Sequence, residues 1–363
     1  FTAPWRVALV CKSWRKCALS DPLLWSTIRV WCWETPAAKV VERFPLVALE
    51  TQLMRSGHAP LDIEFITFYR RTPAEPAVLN LFKALARESH RSEQFRFLCI
   101  EPHPEIVPPE ILAILAQIRG QTKLLRSLEF NSAPLPTQFN DMFILSPQLQ
   151  KVFLAFSNLM GPSSEFSVPW EQVTHLQAHF PTRLWAEILC RNEILDTPNF
   201  ILPQLRRLSM RNSVSFLEFL ETPQLEYLFL GHFAPSIPAF LQRSQFVTII
   251  PTLLHLHAYL IDADSTTQLF QELKNRCSQL TSIHLAVDNT PCDYEALCDF
   301  IAAHKNTLKF ASICTNSPPP AAKEKLLALR GDLLDLVVFD LDDESVDIEA
   351  VPLAHVTKDM EPM

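Results

Sequence analysis

The feature that most limits how this chain can fold is a six-residue apolar pattern that returns along most of its length. The pattern reads apolar-x-x-apolar-x-apolar, often with Pro or Ser just ahead. Its ten copies are FRFLCI (95–100), LRSLEF (125–130), LQKVFL (149–154), VTHLQA (173–178), LRRLSM (205–210), LEYLFL (225–230), LLHLHA (253–258), LTSIHL (280–285), LKFASI (308–313) and LLDLVV (333–338). Their first residues lie 30, 24, 24, 32, 20, 28, 27, 28 and 25 positions apart. Such a recurrence predicts one supersecondary unit built repeatedly, with each copy burying its apolar face on the next.

Helical apolar spacing separates many of these copies, so the chain alternates between two kinds of pattern. The helical segments are 78–85, 111–118, 184–189, 269–273, 294–301 and 321–329. Alternating strands and helices predict parallel strands on one side of the molecule and helices on the other. The spacing is close to the roughly 20–29 residues of leucine-rich repeats. We therefore expect an α/β fold, an open leucine-rich-repeat-like solenoid of about ten irregular strand–helix repeats, with PLDIEF (60–65) as a candidate earlier member.

A closed α/β barrel is the alternative architecture, and it would favour an enzyme. The glycine and acidic residues usual at the strand ends of barrel active sites are not evident in the sequence, so the open form is favoured. The chain has only five glycines, which excludes a Gly-rich phosphate-binding loop, and it contains no G-x-S-x-G motif. We expect no enzymatic activity and no cofactor.

Charge and cysteine content narrow the classes of partner. The formal net charge of −8 argues against general nucleic-acid binding. The sequence contains no run of about 18 apolar residues, so no membrane span is predicted. The nine cysteines are scattered without a C-x-x-C pair, which predicts free thiols and no metal site. Free thiols are typical of an intracellular protein, so we expect a cytoplasmic or nuclear location.

The N-terminal segment VALVCKSWRKCALSDPLLWSTIRVW (7–31) predicts a helix over 6–19. Its apolar stripe consists of Val7, Val10, Cys11, Trp14, Cys17 and Ala18. Pro22 ends the helix, because the residue before a proline is displaced from the α region. We expect Trp14 and Trp25 to pack against the first repeat. A helix this short does not bury its stripe alone, so we also expect the chain to be part of a longer protein.

This segment resembles the C-terminal part of the F-box domain in basidiomycete fungal F-box proteins. The pattern there is roughly V-C-x-x-W-x-x-x-A-x-x-x-P-x-L-W-x-x-I-x-V, and the matching residues are Val10, Cys11, Trp14, Ala18, Pro22, Leu24, Trp25, Ile28 and Val30. LMRSGHAPLDIEF (53–65) resembles the family's next block, and LPQLRRLSM and TPQLEYLFL are similar to its later repeats. The L-P-x-E-I-L helix that opens the family's F-box is not in this sequence.

The resemblance implies a substrate-recognition subunit of a Skp–cullin–F-box ubiquitin ligase. The F-box would bind the Skp adaptor, the repeats would bind a protein substrate, and the chain would perform no chemistry. It implies the C-terminal part of an F-box-like domain at 1–31, a leucine-rich-repeat-like domain at 32–341 and an acidic C-terminal tail at 342–363. The alternatives are a non-catalytic repeat scaffold without a ligase role and a barrel-type enzyme.

The candidate substrate-binding residues lie between the apolar positions of the repeated pattern. Side chains alternate along a strand, so the apolar positions point into the core and the intervening positions line the opposite, concave face. The predicted partner-binding residues are His179, Arg207, Arg211, Tyr227, Phe229, His255, His257 and Tyr259. Tyr and Arg are frequent anchors of protein interfaces, and a locally cationic face suits an acidic or phosphorylated partner.

Overall fold

The fold is given by a computed structural model, which describes residues 3–34, 40–42, 46–68, 76–100, 107–132, 139, 141–156, 167–179, 200–211, 220–231, 252–260, 263–287, 293–315, 319–329 and 334–340. The chain divides into two compact units, Phe1–Thr197 and Pro198–Met363. Two predicted segments, the helix at 184–189 and the acidic tail at 342–363, lie outside the described residues.

Among the described residues of the first unit, seven strands form one sheet. Neighbouring strands are parallel, except that the first two strands of the chain pair antiparallel. The strands are β1 (Thr27–Glu34), β2 (Val40–Glu42), β3 (Leu61–Phe68), β4 (Ser92–Ile100), β5 (Ser127–Ser132), β6 (Lys151–Phe156) and β7 (His175–His179). Their order across the sheet is β2-β1-β3-β4-β5-β6-β7, and β2 runs antiparallel to β1.

Five helices lie in the described part of the first unit: α1 (Ala3–Val10), α2 (Lys12–Ser20), α3 (Leu46–Ser56), α4 (Pro76–Arg87) and α5 (Pro109–Ile118). The last three connect successive strands, and the buried residues of α4 and α5 include those whose spacing predicted these two helices. Phe82 of α4, for example, lies between Phe65 of β3 and Phe97 of β4, with ring centroids 4.7 and 5.3 Å away. The helices therefore cover the apolar face of the strands.

The described residues of the second unit repeat the arrangement with six parallel strands, in the order β9-β11-β12-β13-β14-β15. The strands are β9 (Arg207–Arg211), β11 (Tyr227–Leu230), β12 (His255–Leu260), β13 (Ser282–Val287), β14 (Phe310–Thr315) and β15 (Asp335–Asp340). A separate parallel pair consists of β8 (Phe200–Ile201) and β10 (Leu220–Glu221). The helices α6 (Ala263–Arg276), α7 (Tyr294–His304) and α8 (Pro320–Ala328) connect the last four strands of the sheet.

All ten copies of the repeated pattern are strands, and the predicted α/β class is confirmed. Neither sheet is closed among the described strands, because the order within each unit is linear and β4 has β3 and β5 on its two edges. This pairing contradicts the closed-barrel alternative. No described helix has the length and apolar character needed to cross a membrane.

The predicted phase of one copy, meaning the residue that holds the first position of the pattern, was wrong. In β5, β6 and β7 the third pattern residue of each strand pairs with the third of the next, as Ser127, Lys151 and His175 do. In β4, however, Phe95 pairs with Leu128, which is a fourth residue. The copy is therefore SEQFRF (92–97) rather than FRFLCI, and Ser92 takes the position that an apolar residue holds elsewhere.

The N-terminal segment also differs from its prediction. Two helices replace the single one, because Cys11 adopts an extended conformation between α1 and α2, with φ −158° and ψ 173°. Ala18 is buried, whereas Trp14 is 54% exposed, so the predicted packing of Trp14 was wrong. Trp25 is fully buried, as predicted.

Candidate protein-interaction surfaces

Side-chain burial confirms the predicted assignment of strand faces in β7 and β11, whereas in β13 and β14 the intervening residues His284 and Ser312 are buried as well. Along β11 the residues Leu228 and Leu230 are buried, while Tyr227 and Phe229 are half-buried. The same alternation runs through β7. The intervening positions of the repeated pattern therefore lie on the sheet face opposite the core.

In the second unit these positions form two rows that cross the strands. Each member pairs with the same position of the next strand. The first row consists of Arg207, Tyr227, His255, Ser282, Phe310 and Asp335. The second row consists of Ser209, Phe229, His257, His284, Ser312 and Val337. Five of the eight predicted partner-binding residues thus come together on three adjacent strands.

The first row combines one guanidinium with two polar rings. The rings of Tyr227 and His255 lie 6.3 Å apart, and His255 Nδ1 is 2.7 Å from the hydroxyl oxygen of Ser282. Burial raises the pKa of Tyr227, and nearby Arg207 opposes that rise. Burial and the charge of Arg207 both lower the pKa of His255, against a smaller opposing effect of Glu226. At neutral pH the row therefore carries its positive charge on Arg207.

The second row is an aromatic strip that contains one unusually buried histidine. Phe229 and His257 have ring centroids 4.5 Å apart, and those of His257 and His284 are 4.1 Å apart. His284 is only 5% exposed, and neither of its ring nitrogens has a hydrogen-bond partner among the described residues. Burial lowers the pKa of His284 to about 4, so this imidazole is neutral at pH 7. His284 therefore adds no positive charge to this face at neutral pH.

The remaining three predicted residues lie elsewhere on the strands. His179 belongs to the first unit, where its ring lies 5.2 Å from that of Phe153. Arg211 ends β9 and Tyr259 lies in β12. The backbone of these two residues is described, but their side chains fall outside the described part of the chain.

The first unit carries an ion ladder that the sequence did not suggest. Glu64 Oε2 lies 2.6 Å from Arg96 Nη1 and 3.9 Å from Arg29 Nε, and Arg96 also pairs with Glu129. The indole nitrogen of Trp31 donates to Glu64 Oε1 at 2.7 Å. Since Arg29, Glu64, Arg96 and Glu129 are direct cross-strand neighbours, each positive charge of the ladder faces a carboxylate. The correct phase of β4 would have revealed the ladder, because it places Arg96 beside Glu64 and Glu129.

The N-terminal helices present a second kind of surface. Six large apolar side chains are exposed there: Leu9, Val10, Trp14, Leu19, Leu23 and Leu24. Lys12, Arg15 and Lys16 lie beside Leu19 along a shallow groove on α2. We call these nine residues the N-terminal surface. It includes Val10, Trp14 and Leu24 of the F-box-like pattern, and Cys11 of that pattern is exposed as well.

The other pattern residues hold this surface in place. The indole nitrogen of Trp25 donates to the carbonyl of Ala18 at 2.6 Å. Trp5 meets Trp25 edge-on at 5.1 Å, and the Arg55 guanidinium lies 4.4 Å from the ring of Trp25. Pro22 begins a short 3-10 turn (Pro22–Trp25), which the Asp21 carboxylate caps by accepting from the backbone N–H of Leu23. Trp25 thereby ties α2 to α3.

The His, Cys, Asp and Glu side chains of the described residues bear on metal binding and on nucleophilic chemistry. No three of their His, Cys, Asp or Glu side chains are grouped closely enough to hold a metal ion. Burial raises the pKa of the Cys277 thiol to about 12 and that of Cys314 to about 11, so neither thiol is a nucleophile at neutral pH.

Comparison with known proteins adds no assignment. No protein-family model matches this chain, and no curated protein matches it either.

Proposed function

We propose that the chain is the substrate-recognition subunit of a Skp–cullin–F-box ubiquitin ligase acting in the cytoplasm or nucleus. The N-terminal surface binds the Skp adaptor, and the polar strand face binds a protein substrate. The strands and helices are the units of an open leucine-rich-repeat-like solenoid with about ten irregular repeats. In this proposal the chain is not an enzyme, and ubiquitin transfer takes place on partner proteins.

The observation that carries the proposal is the exposure of the N-terminal surface. Six large apolar side chains are exposed within residues 9–24, and burial of such side chains in a partner would remove their surface from water. The three basic residues beside it suit an adaptor with an acidic rim. The buried anchor Trp25 and the exposed residues Val10, Trp14 and Leu24 belong to the same F-box-like pattern.

The regular strand pairing supports the repeat architecture. From β9 to β15 the third pattern residue of each strand pairs with the third of the next without a shift. Stacking of equivalent units in register is the expected behaviour of a solenoid, in which each repeat contacts only its neighbours. The resulting rows give a substrate a continuous face on which several strands act together.

Adaptor binding tests the proposal. The variant Trp14→Ser with Leu24→Ser truncates two exposed residues of the N-terminal surface, and we expect its affinity for the purified Skp adaptor to fall at least about tenfold. The matched control is Val47→Ser with Met54→Ser, because both residues are exposed apolar side chains of α3. The control should bind the adaptor with normal affinity, as measured by calorimetry. Thermal melting should show that all variants are folded.

Two results contradict the ligase role. One is the absence of adaptor binding by the unaltered chain. The other is equal binding by the unaltered chain and the Trp14→Ser, Leu24→Ser variant. Either result, combined with retained substrate capture on the strand face, would favour the alternative of a repeat scaffold without a ligase role.

A further inference from the structure

The two polar strand faces differ in how they treat their arginines. In the first unit Arg96 lies between two carboxylates, those of Glu64 and Glu129. In the first row of the second unit, Arg207 is half-buried and no described carboxylate or hydrogen-bond acceptor pairs with it. A partly buried guanidinium without a counter-ion loses hydration that nothing replaces, so it favours an anionic ligand.

The neighbours of Arg207 are suited to the same ligand. Tyr227 is the direct cross-strand neighbour of Arg207, and His255 is that of Tyr227. Neighbouring strands lie about 4.8 Å apart, so the backbones of Arg207 and His255 are about 10 Å apart with Tyr227 between them. A guanidinium, a phenol and an imidazole on three adjacent strands together offer N–H and O–H donors to one oxyanion.

His255 retains a free position for such a bond. Its Nδ1 is engaged with the hydroxyl of Ser282, whereas its Nε2 has no hydrogen-bond partner among the described residues. Among the described residues, Arg207 and Glu226 affect the pKa of this imidazole, the ring of Tyr227 lies 6.3 Å away, and His257 occupies the next position on the same face of β12. Glu226 also lies 3.7 Å from the guanidinium of Arg206. Because Arg207 disfavours a second positive charge nearby, an anion placed between the two groups would favour protonation of His255.

We propose that Arg207, Tyr227 and His255 form a site for one oxyanion, a carboxylate or a phosphate monoester, on an acidic peptide segment of the substrate, and that binding is linked to proton uptake by His255. The inference rests on the proposed substrate-binding role of the strand face. It names the chemistry of the substrate and adds a dependence on pH that a merely cationic surface would lack.

Peptide binding distinguishes the two sources of the oxyanion. The probes are three ten-residue Gly/Ser peptides whose central residue is Glu, phosphoserine or Gln, and isothermal calorimetry measures their affinity for the full chain. We expect the Gln peptide to bind at least about tenfold more weakly than the better of the other two, since it lacks the charge. The order of the Glu and phosphoserine peptides identifies the preferred source. Equal binding of all three peptides would overturn the site.

A neighbouring arginine provides the matched control. Arg207→Gln removes the guanidinium of the site, whereas Arg206→Gln removes the same charge from the adjacent, exposed residue that pairs with Glu226. We expect Arg207→Gln to weaken binding of the preferred peptide at least about tenfold and Arg206→Gln to change it less than about twofold. Equal losses in the two variants would mean that general charge rather than a built site attracts the peptide.

The proton linkage is measured with sulfate, because a phosphate monoester titrates near pH 6 and sulfate does not. The ring resonance of His255, identified by its loss in His255→Gln, is followed by NMR against pH with and without saturating sulfate. We expect sulfate to raise the pKa of His255 by about one unit, which corresponds to about tenfold tighter binding by the protonated site. An unchanged pKa would overturn the linkage.

The adaptor assay keeps this inference separate from the proposed function. Arg207→Gln leaves the N-terminal surface unaltered and should bind the Skp adaptor as the unaltered chain does. Normal adaptor binding without any oxyanion binding would refute the site alone. Oxyanion binding without adaptor binding would refute the ligase role and leave the site standing.

Discussion

Acidification should destabilise the second unit through His284. This histidine is almost completely buried beside His257, and burial lowers its pKa from 6.5 to about 4. In the unfolded chain the same imidazole binds a proton near pH 6.5. Between about pH 6.5 and pH 4 the unfolded state therefore binds more protons than the folded state, so the free energy of unfolding falls as the pH falls.

The size of the effect follows from the two pKa values. A difference of about 2.5 between 6.5 and about 4 corresponds to about 3 kcal/mol when the loss is complete. Between pH 7 and pH 4.5 we expect a loss of about 2 kcal/mol, since the folded-state group is still mostly neutral at the lower pH. Such a loss is a large share of the stability of an ordinary domain.

The assay must report on the second unit alone. All seven tryptophans lie at or before position 185, so tryptophan fluorescence follows only the first unit. Hydrogen exchange of peptides that cover β12, β13 and β14, measured in urea at pH 7 and pH 4.5, reports the opening of the second unit. NMR of the His284 ring gives its pKa directly.

Two variants make the prediction specific. His284→Gln removes the titrating group, and its unfolding free energy should change much less between the two pH values. His304→Gln is the control: His304 is also buried, but its ring nitrogens each lie 3.0 Å from a carbonyl oxygen, those of Phe300 and Cys277. The control should retain the acid-induced loss. The reasoning is wrong if His284 titrates near pH 6.5, or if His284→Gln loses as much stability in acid as the unaltered chain.

Two further predictions concern the first unit. Trp25→Ala should lower the free energy of unfolding by about 3–5 kcal/mol, because it empties a fully buried aromatic site. Trp14→Ala should change this free energy by less than about 1 kcal/mol, because Trp14 is exposed. Thermal melts that rank the two variants in the opposite order would contradict the burial pattern. Glu64→Gln should cost about 2 kcal/mol by weakening a buried ion pair, while the more exposed Glu93→Gln, whose partner is Arg126, should cost less than about 1 kcal/mol. Tryptophan fluorescence in urea measures the free energy of unfolding of both glutamate variants. Similar losses in the two variants would mean that the ladder contributes no more stability than a surface ion pair.

The repeated pattern was sufficient to locate the strands. Alternation within each copy specified which residues enter the core, because successive side chains of a strand point to opposite faces. The spacing between copies left room for a crossover connection and so specified parallel pairing. For the same reason the cluster of Arg207, Tyr227 and His255 was predictable: equivalent positions of successive repeats become cross-strand neighbours.

The sequence by itself therefore determined the strand positions, the core face and most of one candidate site. Only the tertiary structure decided the phase of β4, since Ser92 in an apolar position hides the pattern until its pairing with β5 is seen. It also decided the break at Cys11, which leaves Trp14 exposed, and the protonation of His284, because the burial of an imidazole depends on residues distant in sequence. Local patterns encode periodicity, whereas phase, exposure and charge state arise from the elements that pack on each residue.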